Sequence, residues 1–211
     1  MASLTLVIAD DHLLVRQAIR ALLEREHLTV AGEAGDGIEA VRQCEQLQPD
    51  ILLLDVAMPA MNGISAIGDV LRRAPRTRII LLSMHTEEHY VLEALRAGVK
   101  GCVSKTQAAD HLLRAIRDVG RGDIYLSPTV SNTVVQAYLS KSDLPHDLLT
   151  GRERQVLQLV AEGKTTKEVA VILGVTVKTA ETHRTRLMEK LDVHSAAGLV
   201  RYAVRKGFIE P

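Results

Sequence analysis

The chain has 211 residues, of which 46% are hydrophobic and 25% charged, an ordinary composition for one or two globular domains with buried cores. Its 26 basic side chains equal its 26 acidic ones, which excludes a uniformly basic nucleic-acid coat or a disordered acidic tail. Only 2% of the residues are aromatic, too few for the stacking platforms that grip RNA loops or single strands.

The two cysteines, Cys44 and Cys102, are far apart and show neither a CxxC nor a Cys/His spacing. They are therefore interpreted as reduced thiols rather than as a disulfide or a zinc site. No apolar stretch approaches the ~18 residues that a membrane span needs. The apolar run Leu4–Ile8 has no basic segment before it, unlike a signal peptide. The sequence favours a cytoplasmic protein that does not bind membranes.

Five short apolar runs alternate with segments of helical spacing over residues 1–123. Continuous apolar runs rich in β-branched residues are typical of strands buried on both faces, as in a parallel sheet covered by helices. We therefore expect an α/β domain with a doubly wound, five-stranded parallel sheet. The predicted strands are Leu4–Ala9, Leu28–Ala31, Ile51–Leu54, Arg78–Leu82 and Lys100–Val103.

Residues 124–147 have a different pattern and are predicted to be a helical linker. Ser127 and Pro128 are typical of a helix N-cap followed by a first-turn proline. The segment Ser142–His146 has the composition of a flexible turn. One short helix is predicted from the spacing of Val130, Val134, Val135 and Leu139.

Residues 148–211 show no strand signal and are predicted to form a smaller, all-α second domain. Two capping boxes indicate helix starts, Thr150 with Glu153 and Thr165 with Glu168. Residues 149–211 carry 11 basic and 7 acidic side chains, whereas residues 1–126 carry 14 and 17. The second domain is therefore the candidate for an anionic partner.

Polar side chains follow four of the predicted strands at the point where each strand ends. The functional crevice of an open parallel sheet lies beyond these carboxyl ends, so we expect the side chains to converge. Three carboxylates cannot share a pocket unless a cation joins them, because unit charges ~4 Å apart repel by ~4 kcal/mol at an effective dielectric of 20. Mg²⁺ suits such oxygen ligands and leaves positions open for phosphate oxygens. The converging residues are Asp10, Asp11, Asp55, Ser83, Ser104 and Lys105.

These residues resemble the receiver domains of two-component response regulators over about residues 3–122. The run Asp55-Val-Ala-Met-Pro-Ala-Met-Asn-Gly63 is similar to the phosphoacceptor loop of that family. The resemblance implies a flavodoxin-like fold and an Asp55 that accepts phosphate from a sensor histidine kinase. It further implies that Ser83 senses the phosphoryl oxygens and that Lys105 pairs with them. Mg²⁺ would be organised by Asp10, Asp11, Asp55 and the backbone carbonyl of Ala57.

The chain departs from the receiver pattern at two positions. Cys102 occupies the place of the aromatic residue that often acts as a rotameric switch, and Thr106 stands where many receivers have proline. We hypothesise that Ser83 moves toward the phosphoryl group and repacks Met84 and Cys102 without an aromatic swing.

In the second domain, Thr165–Leu191 is predicted to form helix, turn and helix, with Gly174 permitting the reversal and Thr176 capping the second helix. A helix rotates by 100° per residue, which divides the side chains of this second helix between an inward arc and an outward arc. A short-chained polar face of this kind fits the major groove of DNA. The inward arc holds Val177, Ala180, Leu187, Met188 and Leu191, and the outward arc holds Lys178, Thr182, Thr185, Arg186 and Glu189.

The second domain resembles the LuxR-type helix-turn-helix of the NarL/FixJ regulators over about residues 148–208. The blocks Leu149-Thr-Gly-Arg-Glu-Arg-Gln-Val-Leu157, Ala161-Glu-Gly-Lys164, Thr166-Lys-Glu-Val-Ala170 and Lys178-Thr-Ala-Glu-Thr-His183 are similar to that family. The resemblance implies double-stranded DNA as partner and a final helix that pairs two DNA-bound domains. The implied DNA-binding residues are Lys178, Glu181, Thr182, Thr185 and Arg186.

We therefore predict a phosphorylation-switched transcriptional regulator, active as a homodimer and acting with RNA polymerase, rather than an enzyme. The receiver is expected to restrain the DNA-binding domain until Asp55 is modified. Two alternatives stay open. A phosphate-transferring enzyme could also use an aspartyl phosphate, although Ala57 offers no polar group to orient an attacking water. A phosphate-independent DNA-binding or scaffold protein would carry a vestigial acidic pocket.

Overall fold

The computed structural model of the chain describes residues 4–83, 88–107, 109–139, 149–206 and 208–209. The strands of its larger part are β1 Thr5–Ala9, β2 Thr29–Ala34, β3 Ile51–Asp55, β4 Arg78–Ser83, β5 Gly101–Ser104 and β6 Tyr125–Leu126. They form a parallel sheet with the order β2-β1-β3-β4-β5-β6. The helices of this part are α1 Leu13–Arg25, α2 Gly37–Leu47, α3 Gly63–Arg73, α4 Glu88–Ala97, α5 Ala109–Arg121 and α6 Pro128–Leu139.

The central strands are buried on both faces, as their continuous apolar runs predict. Alternate side chains point to opposite faces, so Leu6 and Ile8 pack under α1 and α5 while Val7 and Ala9 pack under α2 and α3. The strand order reverses between β1 and β3, which pair with each other in parallel. The predicted doubly wound α/β fold is confirmed, and its crevice lies beyond the ends of these two strands.

The described residues contain six strands in this sheet rather than five. Tyr125 pairs with Gly101 and Leu126 with Cys102, and the Ser127 N–H donates to the Cys102 carbonyl at 3.0 Å. Helix α6 then begins at Pro128, as predicted. A two-residue strand is too short to show a periodic sequence pattern. It can be recognised only from its pairing with β5 in the structure. The predicted joint at Ser142–His146 lies outside the described residues.

The smaller part is all helical, as predicted. Its helices are α7 Gly151–Ala161, α8 Thr166–Ile172, α9 Val177–Leu191 and α10 Ala196–Arg205. Both predicted capping boxes are formed, at Thr150 and at Thr165, and the Thr176 side chain caps α9. Gly174 adopts a φ of +63° in the turn between α8 and α9, a conformation that favours glycine.

The inward arc of α9 is shorter than predicted. Ala180 and Leu187 are buried in the core of the second domain, but Val177 is 40% exposed. Val177 is the first residue of the helix. None of the helices in the described ranges is long and apolar enough to cross a membrane.

Candidate functional site

Three carboxylates meet at the carboxyl ends of β1 and β3, as the sequence predicts. Asp10 follows β1 directly, Asp11 begins the loop to α1, and Asp55 ends β3. Ligand atoms from these residues and from His12 all lie within 4.8 Å of one another. Asp10 is fully buried and Asp55 is 3% exposed, so the cluster forms the floor of the crevice.

Lys105 is the cation of this cluster. Its Nζ lies 2.7 Å from Asp10 Oδ2 and 2.8 Å from Asp55 Oδ2, and its side chain is only 11% exposed. The backbone places it, because the Lys105 N–H donates to the Ser83 carbonyl at 2.8 Å as β5 ends beside β4. The structure thus brings together the predicted residues from three different strand ends.

The cluster carries more negative than positive charge. Burial raises the pKa of Asp55 to about 6, with Lys105 opposing the shift and Asp10 adding to it. Burial alone would lower the pKa of Lys105, but Asp55 and Asp10 raise it overall, so the ammonium stays charged. Three carboxylates therefore face one ammonium, and a further cation would relieve the remaining repulsion.

The donor set fits Mg²⁺, which prefers oxygen ligands. Asp10, Asp11 and Asp55 supply carboxylate oxygens, and Ala57 lies exposed two residues beyond Asp55. His12 is a member of the cluster that sequence reasoning missed, with its Nδ1 2.7 Å from Asp11 Oδ1. Its position directly after the Asp10-Asp11 pair was the available signal.

The hydroxyl side of the crevice is formed by the ends of β4 and β5. Ser83 pairs with Ser104 across the two strands and is half-buried. The Ser104 hydroxyl lies 2.8 Å from the Thr106 hydroxyl, so Thr106 joins this polar edge. Cys102 is buried in the core that α6 also enters through Val130. Met84 lies outside the described residues, so the predicted repacking stays a hypothesis.

The loop that follows Asp55 is held tightly against the strand it leaves. The Gly63 N–H donates to the Val56 carbonyl at 3.0 Å. A Cβ on Gly63 would lie 2.1 Å from the Asp55 carbonyl oxygen, so only glycine fits there. Asn62 caps α3 by accepting a hydrogen bond from the Ser65 N–H at 2.8 Å. Any movement of this loop therefore bears directly on Asp55.

The same loop contacts the second domain through α7. The Gln158 amide donates to the Met58 carbonyl at 2.7 Å and accepts from the Asn62 N–H at 2.8 Å. The Glu162 carboxylate accepts from the Ala60 N–H at 3.1 Å. We call this set of contacts, made by Gln158 and Glu162 to residues 58–62, the loop clamp.

Arg154, one turn before Gln158 on α7, forms an ion pair with Glu93 of α4. Sequence reasoning missed all of these contacts between the two domains. Gln158 and Arg154 occupy polar positions on α7, and Glu162 is its C-cap residue. Their partners lie far away in the chain. No local spacing signals such a contact.

A second candidate site is the outward arc of α9. The five predicted DNA-binding side chains are all exposed on this helix, and the contact between the two domains does not cover them. The Thr182 hydroxyl donates to the Lys178 carbonyl at 2.9 Å, which leaves its methyl group free to contact a partner. The exposed set comprises Lys178, Glu181, Thr182, Thr185 and Arg186.

Side chains from neighbouring helices fix the orientation of α9. Lys190, near its C-terminal end, donates to the Glu153 carboxylate at 2.7 Å. That carboxylate also completes the capping box of α7. The Arg184 guanidinium reaches the Thr166 hydroxyl at 3.4 Å. The arc is thus held by α7 and α8 in one rigid helical unit.

Two family descriptions match the chain, and together they cover both domains. Residues 6–117 match the family described as response regulator receiver domain. Residues 147–203 match the family described as bacterial regulatory proteins, luxR family. The first match contains the carboxylate cluster and Lys105, and the second contains the exposed arc of α9.

Similar proteins share this arrangement over nearly the whole chain. The oxygen regulatory protein NreC of Staphylococcus carnosus is 36% identical over 214 residues, which cover 97% of this chain and 99% of that protein. A structure of RcsB from Salmonella enterica serovar Typhimurium bound to promoter rprA, in the presence of phosphomimetic BeF3−, is 28% identical with a TM-score of 0.64. That match covers 95% of this chain and 98% of the RcsB chain.

Proposed function

Because this chain belongs to the NarL/FixJ family of two-component response regulators, we propose that phosphorylation of Asp55 controls its binding to DNA. The single observation that carries the proposal is the meeting of Asp10, Asp55 and Lys105 in one buried cluster. A sensor histidine kinase supplies the phosphoryl group. Because the proposed target is DNA, we propose that the protein acts in the cytoplasm.

In the proposed transfer, an Asp55 carboxylate oxygen attacks the phosphorus atom. The bond from phosphorus to the nitrogen of the donor histidine breaks, and that nitrogen keeps the electron pair. Lys105 already touches the Asp55 carboxylate, so its ammonium is placed to pair with the phosphoryl oxygens. Ser83, at the end of β4 between β3 and β5, would supply a hydroxyl to the same oxygens. Mg²⁺ held by Asp10, Asp11, Asp55 and the Ala57 carbonyl would neutralise charge on the cluster and on the phosphoryl oxygens.

The phosphoryl group is proposed to be a signal rather than an intermediate of an enzyme. Ala57 is exposed beside Asp55 and carries no polar group. The side chain at that position therefore cannot orient a water molecule for hydrolysis. An aspartyl phosphate formed at Asp55 would persist long enough to shift a conformational equilibrium.

Restraint of the DNA-binding domain is proposed to act through α7. The loop that begins at Asp55 is the part of the receiver that α7 contacts. A change at Asp55 that moves this loop would shift the population of docked and released domains. A few kcal/mol of differential contact energy is enough for such a shift.

The function is tested with beryllofluoride, a phosphoryl mimic, and Mg²⁺ on the full chain. We expect the mimic to tighten binding to DNA fragments enriched by selection, or to promote dimerisation, because it occupies the place of the phosphoryl group on Asp55. Gel-shift titrations and sedimentation measure the two effects. If neither DNA affinity nor oligomeric state changes, the proposed switch is wrong.

The DNA-reading residues are proposed to be Lys178, Glu181, Thr182, Thr185 and Arg186. Arg186 can bind guanine edges and Thr182 can present its methyl group to thymine. Glu181 is different, because a carboxylate is repelled by phosphates and by the acceptor atoms of guanine. Among the described residues, Glu181 makes no ion pair within 4.0 Å that would neutralise it. The major-groove group that suits a carboxylate is the amino group of cytosine.

We therefore expect Glu181→Ala to remove a preference for cytosine at one operator position and to raise affinity for unrelated DNA. The lost discrimination should be about tenfold, since one base contact is worth ~1–3 kcal/mol. Selection from random duplexes, followed by titration of single-base variants, measures it. Glu189→Ala is the matched control, because Glu189 is also exposed on α9 but lies two turns farther along. An unchanged base preference in Glu181→Ala would contradict the assignment.

A homodimer is proposed as the DNA-bound form, with α10 as the pairing helix. Leu199 and Ala203 are buried in the domain core, whereas Ala196 and Ala197 are exposed. A two-fold dimer would read paired half-sites. A structure named for RcsB dimers bound to two parallel DNAs supports this arrangement by similarity. RNA polymerase is the proposed target of the regulator once it is bound to DNA.

A further inference from the structure

The contact between the domains reaches the loop of the phosphoacceptor site itself. We propose that Gln158, a residue of the DNA-binding domain, is a positioning residue for phosphoryl transfer: it holds the loop after Asp55 in its resting conformation and so opposes phosphorylation. This inference rests on the proposed function of Asp55. It adds that control runs in both directions, from the receiver to the DNA-binding domain and back.

Gln158 makes a specific polar contact rather than a loose one. Its side chain is 1% exposed, and both polar atoms of its amide are hydrogen-bonded. The amide nitrogen donates to the Met58 carbonyl and to Glu162 Oε1, and the amide oxygen accepts from the Asn62 N–H. A side-chain amide can both donate and accept hydrogen bonds. Gln158 therefore bonds a backbone carbonyl and a backbone N–H of the loop, as the backbone of a neighbouring strand would.

The loop clamp holds residues on both sides of a strained position. Ala60 has a φ of +61°, which an L-residue with a Cβ adopts only at a cost. Glu162 accepts a hydrogen bond from its N–H. A strained backbone conformation persists only when contacts around it hold it in place. Here some of those contacts come from the second domain. Release of α7 would let the loop relax.

The clamped loop is connected to the phosphoacceptor by short and rigid steps. Ala57 lies between Asp55 and Met58, whose carbonyl Gln158 holds. At the other end, the Gly63 N–H is bonded to the Val56 carbonyl. Fixing Met58 and Asn62 therefore fixes the Ala57 carbonyl, which is the proposed backbone ligand of Mg²⁺. Gln158 acts on the site through this backbone and does not touch Asp55.

The direction of the effect follows from linkage. If a phosphoryl group on Asp55 weakens the loop clamp, then the clamp must weaken binding of that group by the same factor. The clamp does not cover the exposed arc of α9. Its release would therefore act on domain arrangement and on the phosphoacceptor loop, not by uncovering the DNA-reading side chains.

The test uses the full chain with Gln158→Leu, which keeps the volume and removes the hydrogen bonds. Glu162→Ala is the second variant, because Glu162 is only half-buried and its truncation leaves the core of the second domain intact. Gln155→Leu is the matched control, since Gln155 is a buried glutamine of the same helix that accepts from Arg152 within the second domain. Circular dichroism and thermal melting confirm that each variant folds.

Two readouts are measured. Calorimetric titration gives the affinity for beryllofluoride with Mg²⁺, and gel-shift titration gives the affinity for the selected DNA without the mimic or the metal. We expect Gln158→Leu and Glu162→Ala to tighten both by about fivefold to about a hundredfold, the range of ordinary allosteric coupling. Gln155→Leu should change neither.

Equal beryllofluoride affinities in the parent and in both clamp variants would overturn this inference and leave the proposed function intact. Weaker binding in the variants would also overturn it, because the clamp would then assist phosphorylation. A parent chain that does not bind beryllofluoride at all would contradict the proposed function and this inference with it.

Discussion

Replacing Asp55 by asparagine is expected to abolish phosphorylation by acetyl phosphate and every response of DNA binding to beryllofluoride. Asparagine keeps the size of the side chain but removes the carboxylate oxygen that contacts Lys105, which is the proposed nucleophile. The loss should be complete rather than partial, because Asp10 is engaged with Lys105 and with the His12 N–H. Phosphate-affinity electrophoresis of the treated chain measures the modification.

The same substitution is expected to stabilise the receiver at pH 7. Burial raises the pKa of Asp55 from 3.8 to about 6. Above pH 6 the carboxylate is therefore ionised in both states, and its charge costs more free energy in the folded state than in the unfolded state. A shift of one pKa unit corresponds to about 1.4 kcal/mol, so the gain in Asp55→Asn at pH 7 should be about 3 kcal/mol. Below about pH 3 both states of the parent are protonated, so the gain should fall as the pH drops below about 6 and vanish below about pH 3.

Urea denaturation in the presence of a chelator measures this gain at each pH. Asp69→Asn is the control, because Asp69 lies on the surface of α3 in an ion pair with Arg72. It should leave phosphorylation unchanged. A modified Asp55→Asn chain would show that the phosphoryl group is carried elsewhere.

The receiver fold could be predicted from sequence because each central strand is a continuous apolar run buried on both faces. The ends of those runs also predicted Asp10, Asp55 and Lys105 as neighbours. That inference needs only the rule that parallel strands end at one edge of a sheet. The distances of 2.7 and 2.8 Å from Lys105 agree with it.

The helix starts of the second domain could be predicted because capping is local. Thr150 and Thr165 each bond a glutamate three residues later, and that spacing is visible in the sequence. Exposure at a helix end is less local, since it depends on what the neighbouring helix covers. Val177 therefore follows the apolar period of α9 but remains largely exposed.

Contacts between distant segments could not be predicted in this way. Tyr125 and Leu126 form a strand only because β5 accepts them. Gln158 resembles any polar helix residue until Met58 and Asn62 are placed beside it. Both features are contacts between residues that are far apart in the chain. Such contacts produce no periodic pattern in the sequence, so they could not be predicted from it.

Lys105→Met is expected to cost about 3–5 kcal/mol of unfolding free energy in the presence of a chelator, the range for removing one partner of a buried ion pair. Methionine fills the space of the lysine stem but leaves Asp10 and Asp55 buried without their shared cation. The carboxylates would then repel each other in a site that excludes water. Lys100→Met is the control, because Lys100 is exposed where β5 begins and should change stability by less than ~0.5 kcal/mol.

A double-mutant cycle with Asp55→Asn separates the cluster from simple packing. In the Asp55→Asn background, Lys105→Met should cost less, because one of the two carboxylates it neutralises is already gone. Close charged pairs commonly couple by ~0.5–3 kcal/mol, whereas independent sites add within ~0.5 kcal/mol. Urea denaturation of the four chains gives the coupling directly. Equal costs in the two backgrounds would mean that Lys105 stabilises the receiver without its contact to Asp55, and the electrostatic account of the site would fail.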